Sequence, residues 1–214
     1  MRHRQQLPSP VQDDDALAAL DLGVAFGSIE NTTNCAGMAL FHTFENNELL
    51  ERVRQEVFSS ISRQPLVIID TEHLVASPLL SAIYAETLRL YVSTYTFINS
   101  PHADRKWRLP KGTTNLVNSE LSHMNSDFWN TKNGAHPLQT FWPDRFLIDP
   151  ADPSTGLTKS LNLNINGRKD DKPYFSLDGL EAAWIPYGGG RIVCSGRFMA
   201  KNAIIMVCAF DSRL

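Results

Sequence analysis

The segment 186–196 constrains the fold of this chain more than any other part of the sequence. It reads Pro-Tyr-Gly-Gly-Gly-Arg-Ile-Val-Cys-Ser-Gly, with three consecutive glycines ahead of Cys194. Glycine destabilises the interior of helices and strands, and it permits positive φ angles and a close approach of other groups to the backbone. The segment therefore predicts a loop, and the apolar residues 198–210 that follow it predict a helix.

Cys194 is the candidate ligand residue of this loop. A cysteine binds a metal as the thiolate, which stays ionised only near a positive charge, a helix N-terminus or the metal itself. We expect the loop to enter the following helix at Cys194, so that backbone N–H groups point at the sulfur. Thiolates of this kind are ligands of haem iron. The alternative is that Cys194 is a small buried residue, but the flanking glycines and the Gly196-Arg197 pair argue against it.

The totals exclude several classes of protein. The sequence has three cysteines, an odd and low number that does not suit a disulfide scaffold and fits a reducing compartment better. Cys35 and Cys208 are expected in the core. Neither Cys-x-x-Cys nor His-Glu-x-x-His occurs, so no protein-only zinc site is predicted. The net charge of -3 argues against a nucleic-acid partner. The sequence also lacks the run of ~18 apolar residues that a membrane span requires.

Apolar periodicity predicts that helices dominate the chain. The first helix is predicted over 16–44, after acidic residues 13–15 that cap its free N–H groups and suit its dipole. A second is predicted over 48–60, and a third begins at Pro78, since proline is tolerated in a first turn. The apolar face of the second helix comprises Leu49, Leu50, Val53 and Val57, and its polar face Glu51, Arg52, Arg54 and Glu56.

Strands are predicted to be few and short. Residues 91–99 are β-branched and aromatic, and the turn signal Lys111-Gly112 separates them from a second candidate strand over 113–117. Residues 126–178 are rich in Asn, Asp, Pro and Gly and predict a long irregular region. Strands and helices do not alternate, which argues against a doubly wound parallel sheet. The fold class is therefore predicted as mainly α with small β elements (α+β).

The glycine-rich segment resembles the haem-binding loop of the cytochrome P450 family, whose pattern is Phe-x-x-Gly-x-Arg-x-Cys-x-Gly. Gly190, Cys194 and Gly196 match this pattern, and Tyr187 stands where Phe is usual. The resemblance implies that the cofactor is haem b (iron protoporphyrin IX) and that Cys194 is the ligand of its iron.

One position departs from the family pattern. Ile192 stands where the family usually has an Arg or His that pairs with a haem propionate, and Arg191, one residue earlier, is the candidate replacement. The cofactor-binding residues implied by the resemblance are Tyr187, Gly190, Arg191, Cys194 and Gly196.

A second resemblance lies about one hundred residues before the cysteine. Glu86 and Arg89 form the Glu-x-x-Arg pair of the family, and residues i and i+3 share one face of a helix. Arg145, in Phe141-Trp142-Pro143-Asp144-Arg145-Phe146, matches the Arg of the family's Pro-Glu-Arg-Phe segment. The resemblance implies a buried structural triad of Glu86, Arg89 and Arg145. The alternative for Glu86 and Arg89 is a solvated ion pair of little energetic consequence.

Two further resemblances link these segments. Leu109-Pro110-Lys111-Gly112 is similar to the turn after the family's first sheet. His123 and Trp129 match the His and Trp that often follow that turn.

The first predicted helix is similar to the long distal helix that crosses the haem in the family. Its usual segment, Ala-Gly-x-Asp/Glu-Thr-Thr, corresponds here to residues 27–32. Glu30 matches the acid and Thr32 the second alcohol, whereas Asn31 replaces the Thr usually linked to proton delivery. The resemblance implies that Glu30, Asn31 and Thr32 are the catalytic residues. The alternative is a polar patch on an ordinary helix.

The resemblance implies a haem-thiolate monooxygenase, similar to fungal secondary-metabolism members, that inserts one oxygen atom from O2 into a small hydrophobic organic substrate. An NADPH-dependent reductase would supply electrons. The family is typically attached to the endoplasmic reticulum membrane; without a predicted span, this chain is expected to be cytoplasmic-facing or soluble.

Residues 1–214 are expected to form one truncated haem-binding domain, the C-terminal part of the family fold from the distal helix to the cysteine helix, with 1–12 irregular. Two alternatives remain open: a catalytically inactive remnant, and a haem-thiolate isomerase or rearrangement enzyme that needs no reductase.

Overall fold

The computed structural model describes residues 13–62, 68–99, 110, 112–152, 154–158, 172–190 and 193–211. The predicted irregular segment 1–12 lies outside these residues.

The first helix is the longest element. Helix α1 runs over Asp14–Glu45, close to the predicted 16–44, and its second half packs against the C-terminal helix. Small residues allow this close packing, and its buried positions are Cys35, Ala36, Ala39 and Thr43. Asp13 occupies the N-cap position, but its side chain makes no capping hydrogen bond, so the predicted capping by Asp13 is wrong. Asp14 and Asp15 lie in the first turn, where their charges suit the helix dipole.

Helix α2, over Asn47–Ser59, is amphipathic as predicted, and all four residues of its predicted apolar face are buried. The Asn46 side chain caps it by accepting the Leu49 N–H at 3.1 Å. Glu56, on the predicted polar face, is half-buried. Its carboxylate accepts hydrogen bonds from the Ser77 hydroxyl and, at 3.3 Å, from the Leu79 N–H, and burial raises its pKa.

Helix α4 is the central element of the fold. It runs over Pro78–Tyr91 after the short helix α3, Thr71–Ala76, and it begins at Pro78 as predicted. Ser77 caps it by accepting the Leu80 N–H at 3.2 Å. All residues of 79–89 are buried, and the helix packs against α1, α3 and the C-terminal helix. Polar residues on α4 must therefore find protein partners.

The described strands form antiparallel pairs. Strands β1 (Ile61–Ser62) and β2 (Ile68–Ile69) pair, as do β3 (Tyr95–Asn99) and β4 (Thr114–Asn118), and β5 (Leu147–Ile148) and β6 (Tyr174–Phe175). In the longest pair Tyr95 faces Asn118 and Asn99 faces Thr114.

The predicted strand over 91–99 is too long at its start. Tyr91 is the last residue of α4, and the Val92 N–H donates to the Leu88 carbonyl at 3.1 Å, which closes the helix end. The strand therefore begins only at Tyr95. The predicted turn before β4 is present at Gly112, which has a φ of 81°.

The predicted irregular region is largely irregular where it is described. It follows the short helix α5, Ser119–His123, and contains a 3-10 helix over Pro143–Phe146. Trp129 and Phe146 are fully buried there, and the 3-10 helix packs on α4. The long loop is therefore folded onto the central helix through its aromatic residues.

The C-terminal helix α6 runs over Arg197–Asp211 and buries Ile204, Ile205, Cys208 and Ala209 against α1, α3 and α4. The predicted class, mainly α with small β elements, is confirmed. None of the described helices combines the length and the apolar character needed to cross a membrane.

Candidate functional site

The glycine-rich segment is a loop, as predicted. Gly188 and Gly190 have φ angles of 73° and 63°, in the left-handed region that favours glycine. A side chain at Gly188 would also come within 3.2 Å of the Thr96 Oγ1. Helix α6 begins at Arg197, so the expectation that the loop enters the helix at Cys194 is wrong by three positions. Cys194 instead lies in the loop, and its N–H donates to the Tyr187 carbonyl at 3.1 Å.

Cys194 differs from the other two cysteines in its surroundings. Cys194 is exposed, whereas Cys35 and Cys208 are buried, as predicted. Burial raises the pKa of both buried thiols, that of Cys208 to about 12, because the low-dielectric interior disfavours a thiolate. Cys194 is therefore the one cysteine of the sequence that is placed to act as a thiolate ligand.

The base of the cysteine loop is anchored at three consecutive residues. The Ile185 N–H donates to His123 Nε2 at 3.1 Å, and the Thr94 hydroxyl donates to the Pro186 carbonyl at 2.7 Å. The Tyr84 hydroxyl donates to the Tyr187 hydroxyl at 3.1 Å. The anchoring groups come from α5, from the segment before β3, and from α4. The loop base is thus held from three directions at once.

Tyr187 stands where the family pattern usually has Phe, so the pattern alone does not predict this phenol pair. Burial raises the pKa of both tyrosines above the ordinary value of 10, so both are neutral phenols at physiological pH. Trp184 adds a contact just before the loop, with its indole N–H donating to the Ala85 carbonyl at 3.1 Å. Helix α4 therefore contacts the loop base and the residue before it through the Tyr84 side chain and the Ala85 carbonyl, both just ahead of Glu86 in sequence.

Glu86, Arg89 and Arg145 lie together, and all three side chains are fully buried. Arg89 forms a two-pronged ion pair with Glu86, at 2.7 Å from Nε to Oε2 and 2.8 Å from Nη2 to Oε1. Arg145 Nε lies 3.4 Å from Glu86 Oε1. This burial excludes the alternative of a solvated surface pair. The two guanidinium groups and one carboxylate leave a buried excess of positive charge that needs further acceptors.

Backbone carbonyl groups supply those acceptors. Arg89 donates to the carbonyls of His123 at 3.0 Å and Leu138 at 2.7 Å. Arg145 donates to the carbonyl of Asn130, and its guanidinium lies over the Trp142 ring, 5.1 Å from the centroid. The triad therefore ties the irregular region between α5 and the 3-10 helix to α4.

Glu30, Asn31 and Thr32 lie near the middle of α1. Glu30 and Asn31 are exposed and Thr32 is partly exposed. The Asn31 side-chain amide donates to the Gly27 carbonyl at 3.5 Å, within its own helix. In the described part of the chain, no hydrogen bond or ion pair joins these three residues to the cysteine loop. The structure therefore brings the triad together and anchors the loop, but it does not connect the three α1 residues to either.

Arg191 and Ile192, the predicted replacement and the departing position, lie outside the described residues. Arg197, at the start of α6, donates from Nη1 to the Cys194 carbonyl at 3.0 Å. The Cys194 sulfur does not by itself require glycine at position 196, because a Cβ atom there would lie 3.7 Å from Sγ, an ordinary van der Waals contact.

The donor chemistry of the described residues fits haem. Haem needs only one axial ligand from the protein, and the exposed thiol of Cys194 on an anchored loop can supply it. A metal bound by protein side chains alone needs three or four ligands, and no group of three His, Cys, Asp or Glu side chains converges in the ranges that the structure describes.

Several contacts at the site have no signal in the sequence. No sequence motif indicates a partner for His42 or His136, yet the His42 ring stacks on Phe141 and the His136 ring stacks on Trp142, with centroids 4.4 Å and 4.2 Å apart. The roles of Thr94 and His123 at the loop base also went unpredicted. These partners lie 62 and 92 positions apart in sequence, so no local pattern indicates them.

The comparisons with known proteins agree with this geometry. The family model described as Cytochrome P450 matches residues 3–209. The chain is 35% identical to Cytochrome P450 monooxygenase efuG of Hormonema carpetanum, over 100% of this chain and 41% of that protein. It is 31% identical to Cytochrome P450 monooxygenase fsoE of Humicola fuscoatra, over 97% of this chain and 38% of that protein.

The chain thus spans about two fifths of the length of these two relatives. A further relative, Cytochrome P450 monooxygenase calL of Penicillium decumbens, is 28% identical over 86% of this chain. The family match covers nearly the whole sequence and includes the cysteine loop, the buried triad and α1. This chain belongs to the cytochrome P450 family.

Proposed function

We propose that residues 1–214 form the haem-binding domain of a haem-thiolate monooxygenase, with Cys194 as the ligand of the iron. The observation that carries the proposal is the contrast among the three cysteines: Cys194 alone is exposed, and it follows a loop base anchored by three hydrogen bonds. The fungal relatives that match the whole length of the chain bear the name monooxygenase, which supports the same activity.

In this proposal each part of the chain has a distinct task. Bound haem supplies the oxidising chemistry, because a thiolate ligand favours cleavage of the O–O bond. Cys194 would hold the iron, and Tyr187, Gly190 and Gly196 would shape the loop around it. Arg191 would be the partner of a haem propionate. The buried triad keeps the loop and the irregular region on α4.

The α1 residues would handle protons. The Glu30 carboxylate can take up and release a proton, and the Thr32 hydroxyl can relay one. Asn31 can donate and accept hydrogen bonds, but its amide does not titrate. The apolar side chains of Phe26 and Ile29, 66% and 67% exposed on the same helix, support a small hydrophobic organic substrate. We further propose an NADPH-dependent reductase as electron donor, a role in secondary metabolism, and a cytoplasmic-facing site.

A second candidate function is rearrangement of an oxygen-containing substrate without a reductase. Asn31 is the specific observation in its favour, since a non-titrating amide occupies the position where the family usually has an alcohol linked to proton delivery. An inactive remnant that retains the fold is the third reading, motivated by Ile192 at the position of the usual propionate partner.

The ligand assignment is tested by a spectrum. The chain is purified with added haem, reduced, and exposed to carbon monoxide. We expect a Soret band at the position typical of thiolate ligation, and we expect Cys194→Ala to abolish it. Cys208→Ala is the matched control, because it removes a buried thiol from the following helix and should leave the band in place. A band that survives Cys194→Ala would overturn the assignment.

Turnover separates the remaining readings. Substrate oxidation that requires both NADPH and reductase supports the monooxygenase. Conversion of an organic peroxide without reductase supports the rearrangement enzyme. A thiolate band with neither activity supports the inactive reading.

A further inference from the structure

His123 joins the buried triad to the cysteine loop. It is the last residue of α5 and is fully buried. Its carbonyl accepts a hydrogen bond from Arg89 Nη1 at 3.0 Å, and its ring Nε2 accepts the Ile185 N–H at 3.1 Å. One residue therefore contacts a triad member through its backbone and the base of the loop through its side chain.

The hydrogen bond from the Ile185 N–H fixes which ring nitrogen of His123 carries the proton. A ring nitrogen that accepts a hydrogen bond carries no proton, so the neutral ring must carry its proton on Nδ1. Burial, and then the charge of Arg89, lowers the pKa of His123 to about 4, so Nε2 remains an acceptor at neutral pH. The imidazole is thus a fixed acceptor aimed at Ile185.

The other ring nitrogen lacks a hydrogen-bond partner. Nδ1 is buried and makes no hydrogen bond to any described residue, although the carbonyls of Arg89 and Val92 lie near the ring. A buried donor without an acceptor is rare in proteins and is unfavourable. An apolar residue of similar size would avoid this penalty. The feature that an apolar residue could not supply is the acceptor for Ile185.

Few contacts separate Ile185 from Cys194, so a displacement of Ile185 would also displace the cysteine. Tyr187 is two residues further on, and its carbonyl accepts the Cys194 N–H at 3.1 Å. Between them, Gly188 and Gly190 have positive φ angles and no side chains that pack. The position of Cys194 therefore depends on the base of the loop more than on the glycine-rich turn.

We propose that His123 is a positioning residue for the Cys194 thiolate, which it places by holding Ile185 while Arg89 holds His123. The inference rests on the proposed function, because it matters for ligation only where Cys194 binds haem. His123 differs from the other two anchors, Thr94 and Tyr84, in one respect. Among the described residues, neither of these two makes a hydrogen bond to a triad residue.

The test compares two substitutions of the same residue in the haem-loaded 214-residue chain. His123→Leu keeps the size and removes the acceptor, whereas His123→Gln offers an amide oxygen close to the position of Nε2. Two readouts are followed: the fraction of thiolate-type Soret band in the reduced carbon monoxide complex, and the rate at which a thiol reagent labels Cys194. Bound haem shields Cys194, so labelling reports release of the ligand.

We expect His123→Leu to reduce the thiolate fraction by about half or more and to accelerate labelling about tenfold, the change that loss of ~1.4 kcal/mol produces. His123→Gln should stay within about threefold of the unsubstituted chain, near 0.6 kcal/mol on the same scale. Should His123→Leu fail to fold, His123→Asn replaces it, because its shorter amide keeps polarity without reaching Ile185.

Trp129→Phe is the matched control for general loosening of this region. It removes a hydrogen bond of 2.8 Å from the indole to the Ser122 carbonyl, one residue before His123, and Trp129 makes no hydrogen bond to the loop. The Arg89 guanidinium lies over the Trp129 ring, 5.8 Å from its centroid, and phenylalanine keeps an aromatic ring there, so both readouts should be unchanged. Equal effects of Trp129→Phe and His123→Leu would overturn the positioning role, and so would an unchanged thiolate fraction in His123→Leu.

Amide hydrogen exchange separates this inference from the proposed function. In the chain without haem, His123→Leu should accelerate exchange of the Ile185 amide about tenfold relative to amides in the middle of α4. Absence of a thiolate band in the unsubstituted chain would reject Cys194 as ligand, but the exchange measurement would still test the contact between His123 and Ile185. An unchanged Ile185 exchange rate would reject the role of His123 whether or not haem binds.

Discussion

Helix α4 and the first half of α1 are both rich in apolar residues, yet their surroundings are opposite. In α4 all residues of 79–89 are buried. In α1 no residue of 14–34 is buried. The large apolar side chains exposed there, at 50% to 71%, are Leu20, Leu22, Val24, Phe26 and Ile29.

The difference shows that apolar content alone does not place a helix in a core. Helix α4 buries charged residues because each has a partner in a long-range network. The first half of α1 carries apolar residues around its whole circumference, which is typical of a helix that other protein surrounds. Within the ranges that the structure describes, nothing covers it.

The largest effect is expected from breaking the network around α4. Arg89→Met removes the two-pronged partner of Glu86 and leaves its buried carboxylate with the Trp142 N–H at 3.1 Å and Arg145 Nε at 3.4 Å. We expect the free energy of unfolding to fall by about 3–5 kcal/mol, measured by urea denaturation. Arg54→Met, which breaks the ion pair with Glu51 on the surface of α2, is the control and should change it by less than about 1 kcal/mol. Equal losses would mean that the triad adds no more than a surface pair.

The same substitution in the two helices sharpens the comparison directly. Ile83 is fully buried in α4 and Ile29 is 67% exposed in α1. Ile83→Ala should reduce the free energy of unfolding by about 2–5 kcal/mol, because it leaves a cavity. Ile29→Ala should change it by less than about 0.5 kcal/mol, as is usual at exposed sites. Urea denaturation of both variants measures the difference, and a large loss in Ile29→Ala would indicate that α1 is covered.

Acid should destabilise the α4 side through His123. Its pKa is lowered from 6.5 to about 4 in the folded chain, so the unfolded chain binds the extra proton between these values. Protonation of His123 therefore does not reduce the free energy of unfolding above pH ~6.5, but it lowers it by about 3 kcal/mol as the pH drops to ~4. Urea denaturation at pH 7 and pH 4.5 measures this loss, and His123→Gln should remove most of it. No histidine lies within 14–34, so this effect cannot arise in the first half of α1.

The smallest effect concerns the start of each helix. Asn46 caps α2 with a side-chain hydrogen bond of 3.1 Å, whereas Asp13 makes none to α1. Asn46→Ala should cost about 1 kcal/mol of unfolding free energy, and Asp13→Ala only the weaker charge–dipole contribution, below about 0.5 kcal/mol. Thermal denaturation of the two variants measures the difference. A larger loss in Asp13→Ala would show that its carboxylate does cap the helix in solution.

Local patterns were sufficient to predict the four long helices, α1, α2, α4 and α6, but not the short helices α3 and α5. Apolar periodicity in α2 and the proline at the start of α4 have short-range causes, so their bounds agree with the structure to within one or two residues. The strand over 91–99 was predicted too long because β-branched residues favour a strand, while Tyr91 completes α4.

Contacts distant in sequence could not be predicted from local patterns. Glu86 and Arg145 were named through the family resemblance alone, because no short motif joins positions 59 apart. Periodicity places Glu56 on the polar face of α2, but it does not reveal that Ser77 and Leu79 hydrogen-bond to its carboxylate. The hydrogen bonds that anchor the loop base also arise from tertiary packing, so no local pattern indicates them.

The three hydrogen bonds that anchor the loop base also bear on the order of assembly during folding. They join residues 62, 92 and 103 positions apart, so each closes a long stretch of chain. Closing a long stretch of chain costs conformational entropy before the contact stabilises it, so such contacts form later than helices. We therefore expect α4 to be protected early in pulsed hydrogen exchange and the Ile185 amide late. The Cys194 thiol would then be among the last groups of the chain to reach its place.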